Sequence, residues 1–163
     1  MNHETRERLE KRFKGADSSL SASDPEWVEI VANFSQNEAV KESRLTEKER
    51  MLCILSALLG CQGRGEFRNM LHAALNEGID PVAVREVIYQ ATAYLGIGRI
   101  YDFLKEANQI MEQHGIKLPL APQATVDENS RFTEGLAKQV ELFGPDMARV
   151  QTEGPALRRT INR

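Results

Sequence analysis

The stretch from Thr46 to Gly98 constrains the fold more than any other part of this sequence, because its helix ends carry residues with known capping roles. Glu49 follows Thr46 at the spacing of a capping box, in which the two residues satisfy backbone N–H groups at a helix start. Gly60 and Gly78 each follow an apolar segment, where helices commonly end in a left-handed residue. These signals predict the boundaries of two consecutive helices.

A third helix in this stretch begins at Asp80 and Pro81, an N-cap residue followed by a proline at the first helical position. All three segments carry apolar residues at the spacing of one helix face. These residues are Met51, Leu52, Leu55, Leu58 and Leu59 in the first, Phe67, Met70, Leu71 and Ala74 in the second, and Val84, Val87, Ile88, Ala91 and Leu95 in the third. The capping signals and the apolar faces therefore agree on three helices.

The N-terminal part of the chain predicts two further helices and a loop. Residues 3–14 indicate a short polar helix anchored by Leu9 and Phe13, and segment 15–23 has the glycine and serine content of a loop. Another helix starts at Pro25, and its apolar residues are Trp27, Ile30, Val31 and Phe34.

The C-terminal part predicts more helices, separated by a linker. After Gly98 the helical pattern resumes with Ile100, Phe103, Leu104, Ala107, Ile110 and Met111, and it ends at Gly115. Residues 119–129 combine proline with polar residues and predict a linker. Ser130 is placed to cap a helix carrying Phe132, Leu136, Val140 and Phe143, and a last helix is expected near Pro155 with Leu157 and Ile161.

The resulting domain organisation is a helical domain over residues 1–118, a linker over 119–129 and a helical segment over 130–163. No segment shows the sustained alternation of a half-buried strand. We therefore predict an all-α fold whose core is formed by the faces of Leu55, Leu58, Phe67, Leu71, Val87, Ile88 and Leu104.

The composition excludes several functional classes. The chain has 163 residues, the size of one ordinary domain, and its net charge of -3 argues against a nucleic-acid partner. No apolar run approaches the ~20 residues of a membrane span, and the charged N-terminus lacks the apolar core of a signal peptide. Two cysteines do not make a disulfide scaffold, so we expect a cytoplasmic protein without a membrane partner.

Both cysteines are redox candidates, but the sequence favours only one of them. Seven residues separate Cys53 from Cys61, which excludes a CxxC pair. On a helix their Cα atoms lie on the order of 10 Å apart, beyond the reach of a disulfide without backbone movement. We expect Cys53 to be a small buried hydrophobic residue and Cys61 to be a thiol in a loop, so Cys61 is the catalytic candidate.

The glycine-rich segment 60–65 precedes a helix, so its backbone N–H groups and Arg64 could hold an anion. It lacks the Lys-Ser/Thr ending of a P-loop, which favours a simple turn between helices. Glu66 is a second catalytic candidate, although a first-turn carboxylate that interacts with the helix dipole is the favoured explanation.

His72 is the third catalytic candidate. It lies two residues after Met70, which turns it about 200° away from the apolar face, towards the side of Arg68. We therefore expect His72 to be solvated or to lie in an interface, and a catalytic role would require a neighbouring subunit or repeat to enclose it. His3 and His114 show no metal-ligand spacing, and no motif indicates a metal or a cofactor.

Two sequence blocks resemble a known family. These are LTEKERMLCILSALLGC and HAALNEGIDPVAVREVIYQATAYLGIG, within a region from Phe34 to Met111. They are similar to carboxymuconolactone decarboxylase-like domains, a family that also contains the dithiol partner protein of alkyl hydroperoxide reductase. The resemblance implies an all-helical fold, intertwined trimers or hexamers, and cytosolic chemistry on small metabolites or peroxides.

The residues at the working positions of this family are changed in this sequence. The redox branch of the family uses a glutamate, a CxxC pair and a histidine, and the decarboxylase branch keeps the glutamate and the histidine. By alignment on the family's pattern these positions fall at Met51, Gly63, Glu66 and Met70. A thioether does not titrate, so Met51 and Met70 cannot perform acid–base catalysis.

The resemblance leaves three functional hypotheses. The first is a decarboxylase-like lyase of small metabolites whose competent site lies in another repeat or subunit. The second is a non-catalytic degenerate repeat that stabilises an oligomer or binds a small ligand, and the third is a thiol-dependent peroxide reductase that uses Cys61. Residues Phe132 to Asn162 resemble the lead-in to a further repeat in two-domain family members, a repeat that these 163 residues lack.

The third predicted helix of the central stretch also indicates self-association. Between Pro81 and Leu95 it carries only two charged residues. Ile79, Tyr89 and Tyr94 lie away from its main apolar face, which leaves more apolar surface than a lone domain of this size usually exposes. We therefore predict a homo-oligomer.

Overall fold

The computed structural model describes residues 3–153, and within this range every regular element is helical. The prediction of an all-α fold is therefore confirmed. The helices are α1 (His3–Arg12), α2 (Ser19–Ser23), α3 (Pro25–Asn33), α4 (Ala39–Glu42), α5 (Glu47–Gly60), α6 (Arg64–Asn76), α7 (Pro81–Leu95), α8 (Ile97–Gln113), α9 (Arg131–Phe143) and α10 (Asp146–Glu153), with a π-helical turn at Phe34–Glu38. None of the described helices is long and apolar enough to cross a bilayer.

The chain divides into two compact units, one that ends at Leu120 and one that begins at Ala121. The core of the first unit lies between α5, α6, α7 and α8, where Phe67 and Phe103 pack edge to face with their ring centroids 5.1 Å apart. The fully buried side chains include Met51, Leu55, Leu59, Phe67, Leu71, Val84, Ile88 and Met111. In the second unit α9 packs against α10, and none of the α9 residues is buried.

Three of the predicted capping residues act as expected in the central helices, but Gly60 does not: it is the last residue of α5, and Gln62 (φ +60°) takes the left-handed conformation beyond it. The side chain of Thr46 accepts a bond from the backbone N–H of Glu49 (3.3 Å), and the Glu49 carboxylate accepts one from the N–H of Thr46 (2.8 Å). Asp80 accepts a bond from the N–H of Val82 (2.9 Å) at the start of α7. Gly78 has a φ of +77°, so the turn before α7 uses the left-handed conformation that favours glycine.

Several side chains differ from the prediction in how deeply they are buried. Leu58, Val87 and Leu104 are only partly buried and pack against the edge of the core rather than within it. Ile79, expected on the exposed surface, is buried, because the chain enters α7 beside Ala74 at the end of α6. Tyr89 and Tyr94 are exposed as expected.

Three predicted segment boundaries also differ from the structure. The expected loop 15–23 contains the short helix α2, which begins after Asp17 accepts a bond from the N–H of Ser19 (2.8 Å). Ser130 does not cap α9, because its hydroxyl group bonds to Asp127 instead. The last described helix begins at Asp146, directly after the Gly144 turn, and the expected helix near Pro155 with Leu157 and Ile161 lies outside the described residues.

Candidate functional site

A cleft lies on the side of α6 that faces away from the core. Its walls come from α6, from α8 and from the segment that follows α1, and its volume is about 390 Å³. The lining residues are Gly15, Ala16, Asp17, Arg68, His72, Glu106, Gln109, Ile110 and Gln113. We call this the His72 cleft.

His72 is buried in the wall of the cleft, with only 4% of its surface exposed. Its Nδ1 atom lies 2.9 Å from Nε2 of His114, so the two imidazole rings share a hydrogen bond. Burial lowers the pKa of His72 below its usual 6.5, and the proximity of His114 and the positive charge of Arg68 lower it further. His72 is therefore a neutral imidazole near pH 7.

The prediction that His72 would be solvated, or would need a neighbouring subunit to enclose it, was wrong. Its direction on α6 was correct, since it lies on the side of Arg68 and away from Met70. The error concerned what covers that side. The segment after α1 crosses α6 and encloses the imidazole within the same chain.

We call residues 13–17 the strap, because side chains of α6 hold this segment against the helix. The side-chain amide of Asn76 donates to the carbonyl oxygens of Arg12 (2.8 Å) and Lys14 (2.9 Å), and the N–H of Asp17 donates to Asn69 (3.0 Å). Gly15 has a φ of +87°, and a Cβ atom there would lie 3.0 Å from Nδ1 of His72. Both the backbone conformation and the close approach to His72 favour glycine at this position.

Glu106 is a buried carboxylate at the floor of the cleft, with 3% exposure. It accepts hydrogen bonds from Nε of Arg64 (2.7 Å) and Nε of Arg68 (2.6 Å). Burial raises the pKa of Glu106, but the bonds and charges of the two arginines outweigh that effect and hold its pKa below the usual 4.5. Glu106 therefore stays ionised and fixes the orientation of both guanidinium groups.

Sequence reasoning missed Glu106 and the partnership of His114 with His72. Glu106 did leave a signal, because it follows Phe103 by three residues and precedes Ile110 by four, which places it on the apolar face of α8. A carboxylate on a buried face needs cationic partners. His114 lies far from His72 in sequence, and no local pattern connects the two.

Two of the family's four working positions, Met51 and Met70, lie in the apolar core, whereas Glu66 is exposed. Met51 has no exposed surface and Met70 is 4% exposed. Nη2 of Arg12 lies 3.1 Å from Sδ of Met51, and the same guanidinium group pairs with Glu47, which also pairs with Arg50. Met51 and Met70 therefore contribute packing rather than a titratable group.

The other two candidate residues lie outside the cleft. Cys61 is exposed at the C-cap of α5, as expected for a thiol in a turn. Glu66 is exposed in the first turn of α6, where it accepts a bond from Asn69 (3.3 Å). Cys53, expected to be buried, is exposed, because the inward face of α5 is set by Met51 and Leu55 and position 53 points to the opposite side.

The glycine-rich turn before α6 does not leave Arg64 available for an anion. Its guanidinium group pairs with Asp102 (3.2 Å) as well as with Glu106. Within the described part of the chain, no group of three or more His, Cys, Asp or Glu side chains is arranged to hold a metal ion.

Comparison with known proteins identifies the family of this fold. Neither curated proteins nor solved structures give a match to this chain. The model of the carboxymuconolactone decarboxylase family matches residues 25–109, which include all of α6 but neither the strap nor His114. This match covers more than half of the 163 residues, and the chain therefore belongs to the carboxymuconolactone decarboxylase family.

Proposed function

We propose that this protein binds a small, carboxylate-bearing metabolite in the His72 cleft and that His72 transfers a proton there in a lyase-type reaction. The observation that carries the proposal is a neutral, buried imidazole in the wall of an open cleft, next to a guanidinium group. A neutral imidazole can accept a proton at one nitrogen and donate one from the other, which suits acid–base catalysis near pH 7.

The family relationship supports this assignment through the positions of Met70 and His72 on α6. Met70, at the family's histidine position, has no titratable group, and its side chain lies in the core. His72 lies two residues further along the same helix and faces the cleft. A decarboxylase-like reaction in this chain would therefore use His72 for the proton transfer.

The polar lining favours a small organic acid as the ligand. The Arg68 side chain is 52% exposed, and one edge of its guanidinium group is held by Glu106. Its remaining N–H groups can donate to a carboxylate, and the amide groups of Gln109 and Gln113 supply further donors and acceptors. A volume of about 390 Å³ lies within the range of small-molecule sites.

A second candidate function is ligand binding without catalysis. Glu106 offsets part of the positive charge of both Arg64 and Arg68, which reduces the electrostatic stabilisation available to a developing anion. The same cleft would then bind a small ligand and stabilise the fold around it.

The test is incubation of the protein with carboxymuconolactone and with simple β-keto acids, with substrate loss followed by NMR. We expect turnover in the wild type and its loss in His72→Gln, with no change in Glu77→Gln, an exposed control at the end of α6. Binding without turnover, seen as shifts of the Gln109 and Gln113 amide signals, would favour the second candidate. Absence of both binding and turnover would contradict the proposed site.

We also propose that the protein self-associates. Trp27 (55%), Ile30 (62%) and Phe34 (62%) leave an apolar surface on α3 and the π-helical turn, and Tyr94 (78%) and Ile97 (74%) leave another around the end of α7. Contiguous apolar surface of this kind is typical of interaction sites. Sedimentation at tens of micromolar should give a mass above that of the monomer, and a monomeric mass would contradict the proposal.

A further inference from the structure

We infer that His114 is a positioning residue for His72 and that the two imidazole rings form a proton relay from the His72 cleft to solvent. The inference rests on the proposed function, because it takes His72 as the group that meets the ligand. In this inference His114 accepts the proton that leaves His72. It also determines which ring nitrogen of His72 carries a proton in the resting state.

The geometry gives the two ring nitrogens of His72 different roles. Nδ1 of His72 and Nε2 of His114 share the 2.9 Å bond, and the ring centroids lie 5.1 Å apart. The strap covers the Nδ1 and Cε1 edge of His72, because a Cβ atom on Gly15 would lie 3.0 Å and 3.3 Å from those atoms. Nε2 is therefore the nitrogen of His72 that remains for a ligand in the cleft.

The surroundings of the two rings favour movement of a proton away from His72. Burial of the ring, and after it the nearby His114 and Arg68, disfavour an imidazolium at His72. The carboxylate of Glu106 on α8 is already bound by Arg64 and Arg68, and Asp17 of the strap is exposed at the rim. These carboxylates therefore compensate a charge on His72 only weakly.

His114 is better placed to hold that charge. It is the C-cap residue of α8, and its backbone N–H bonds to the carbonyl oxygen of Ile110 (3.0 Å). The carbonyl groups at a helix C-terminus carry a partial negative charge that stabilises a nearby imidazolium. His114 is also only half-buried, so water can reach it.

The proton balance of the relay is simple. In the resting state Nδ1–H of His72 donates to the lone pair on Nε2 of His114, and Nε2 of His72 is unprotonated. When Nε2 of His72 takes a proton from the ligand, the Nδ1 proton passes to Nε2 of His114. The resulting imidazolium releases its Nδ1 proton to water, and the reverse sequence delivers a proton to the ligand. Only N–H bonds form and break on the protein, and no electrons are transferred to it.

The test uses ¹⁵N NMR of the imidazole rings in the full chain, without ligand, in the wild type and in His114→Gln and His114→Phe. We expect the wild type to carry the His72 proton on Nδ1. His114→Gln should keep this tautomer, because the glutamine carbonyl group still accepts a hydrogen bond, whereas His114→Phe should give a mixture of tautomers. Glu112→Gln, an exposed change on the same helix, serves as the matched control.

The second measurement is the turnover of a β-keto acid that the wild type accepts as a substrate. His114→Gln keeps the acceptor but cannot carry a proton, so kcat should fall about 10-fold or more with little change in KM. Its pH–rate profile should also shift, whereas Glu112→Gln should match the wild type. His72 protonated at Nε2 in the resting wild type, or an unchanged kcat in His114→Gln, would overturn the relay.

The relay remains testable if none of these acids is turned over, which would count against the proposed function alone. The tautomer measurement on the chain without ligand does not depend on turnover. A His72 proton on Nδ1 that becomes mixed between the two nitrogens in His114→Phe would support the relay, and a His72 proton on Nε2 in the wild type would overturn it.

Discussion

The two faces of α6 show how one helix can separate packing from chemistry. The face that carries Phe67, Met70 and Leu71 is buried in the apolar core, and the face that carries Arg68 and His72 lines a polar cleft. Met70 and His72 are two residues apart and point about 200° away from each other. A titratable side chain can therefore lie next to a family's working position in sequence and still act in a different environment.

The two faces also differ in what covers them. The core face is covered by α5 and α8, which lie almost entirely within the region that matches the family. The cleft face is covered by the strap, which lies before that region and is held by Asn69 and Asn76. The core thus follows from the family's fold, whereas the cleft depends on an addition outside the matched region.

The largest effect that separates the two faces is expected from Leu71→Ala. Leu71 has no exposed surface, so removal of its side chain leaves a cavity in the core and should lower the free energy of unfolding by about 2–5 kcal/mol. Urea unfolding followed by circular dichroism measures this change. A loss below about 1 kcal/mol would show that the core face is less tightly packed than the structure indicates.

Gly15→Ala should have a smaller effect that is specific to the cleft. An alanine at φ +87° is strained, and its Cβ atom would lie 3.0 Å from Nδ1 of His72. We expect a loss of stability of about 1–2 kcal/mol, together with a changed environment of the His72 ring. The ¹⁵N spectrum of the histidines and urea unfolding measure the two effects.

Gly65→Ala is the matched control for this change. No atom lies within 4 Å of a Cβ at Gly65, which is in the first turn of α6. Alanine favours a helix more than glycine does, so this variant should be unchanged or more stable by up to about 1 kcal/mol. Equal losses from the two variants would contradict the specific role of Gly15.

The sequence predicted the core face well for a physical reason. Local signals such as the Thr46–Glu49 capping box and the Asp80–Pro81 helix start depend on residues close together in sequence. The apolar stripes then determine which face is buried. Cys53 was wrongly predicted to be buried because the prediction relied on cysteine being an apolar residue type. Its position on α5 indicated exposure, since Met51 and Leu55 define the opposite, buried face of that helix.

The cleft could not be predicted in the same way, because its parts are distant in sequence. Contact between His72 and His114, and between Glu106 and two arginines of α6, depends on how α8 packs on α6. The strap reaches His72 from an N-terminal segment that sequence reasoning treated as a loop. Helical periodicity gives the direction of a side chain but not the segment that covers it.

A third expected effect is a pH dependence of stability that comes from the cleft. The pKa of His72 is lower in the folded protein than its usual 6.5, so the unfolded chain binds a proton more readily. The stabilising contribution of neutral His72 is therefore fully present above pH 6.5 and is lost as the pH falls towards the lower pKa of the folded protein.

Urea unfolding between about pH 5 and pH 7 measures this dependence. His72→Gln removes the titrating group and should flatten the slope. Glu47 and Glu106, whose pKa values are held below 4.5 by arginine partners against the opposing effect of burial, should lose their contributions only at lower pH. An unchanged slope in His72→Gln would show that another group causes the dependence.

The smallest effect is expected from the thiols, and it tests the hypothesis of a thiol-dependent peroxide reductase. A dithiol peroxidase needs an attacking thiolate, a resolving thiol within bonding distance and a group that moves the proton. Cys53 lies within α5 and Cys61 lies at its C-cap, so the helical rise places them on the order of 10 Å apart. Met51 and Met70 supply no proton relay.

We therefore expect no dithiol-dependent peroxide reduction by this chain, and Cys61→Ser should change the free energy of unfolding by less than about 0.5 kcal/mol. Cys53→Ser is the matched control, because its thiol is exposed on the same helix. Peroxide consumption measured with a thiol reductant decides the question. Robust activity that disappears in Cys61→Ser but persists in Cys53→Ser would assign the chemistry to a lone thiol in the turn before α6.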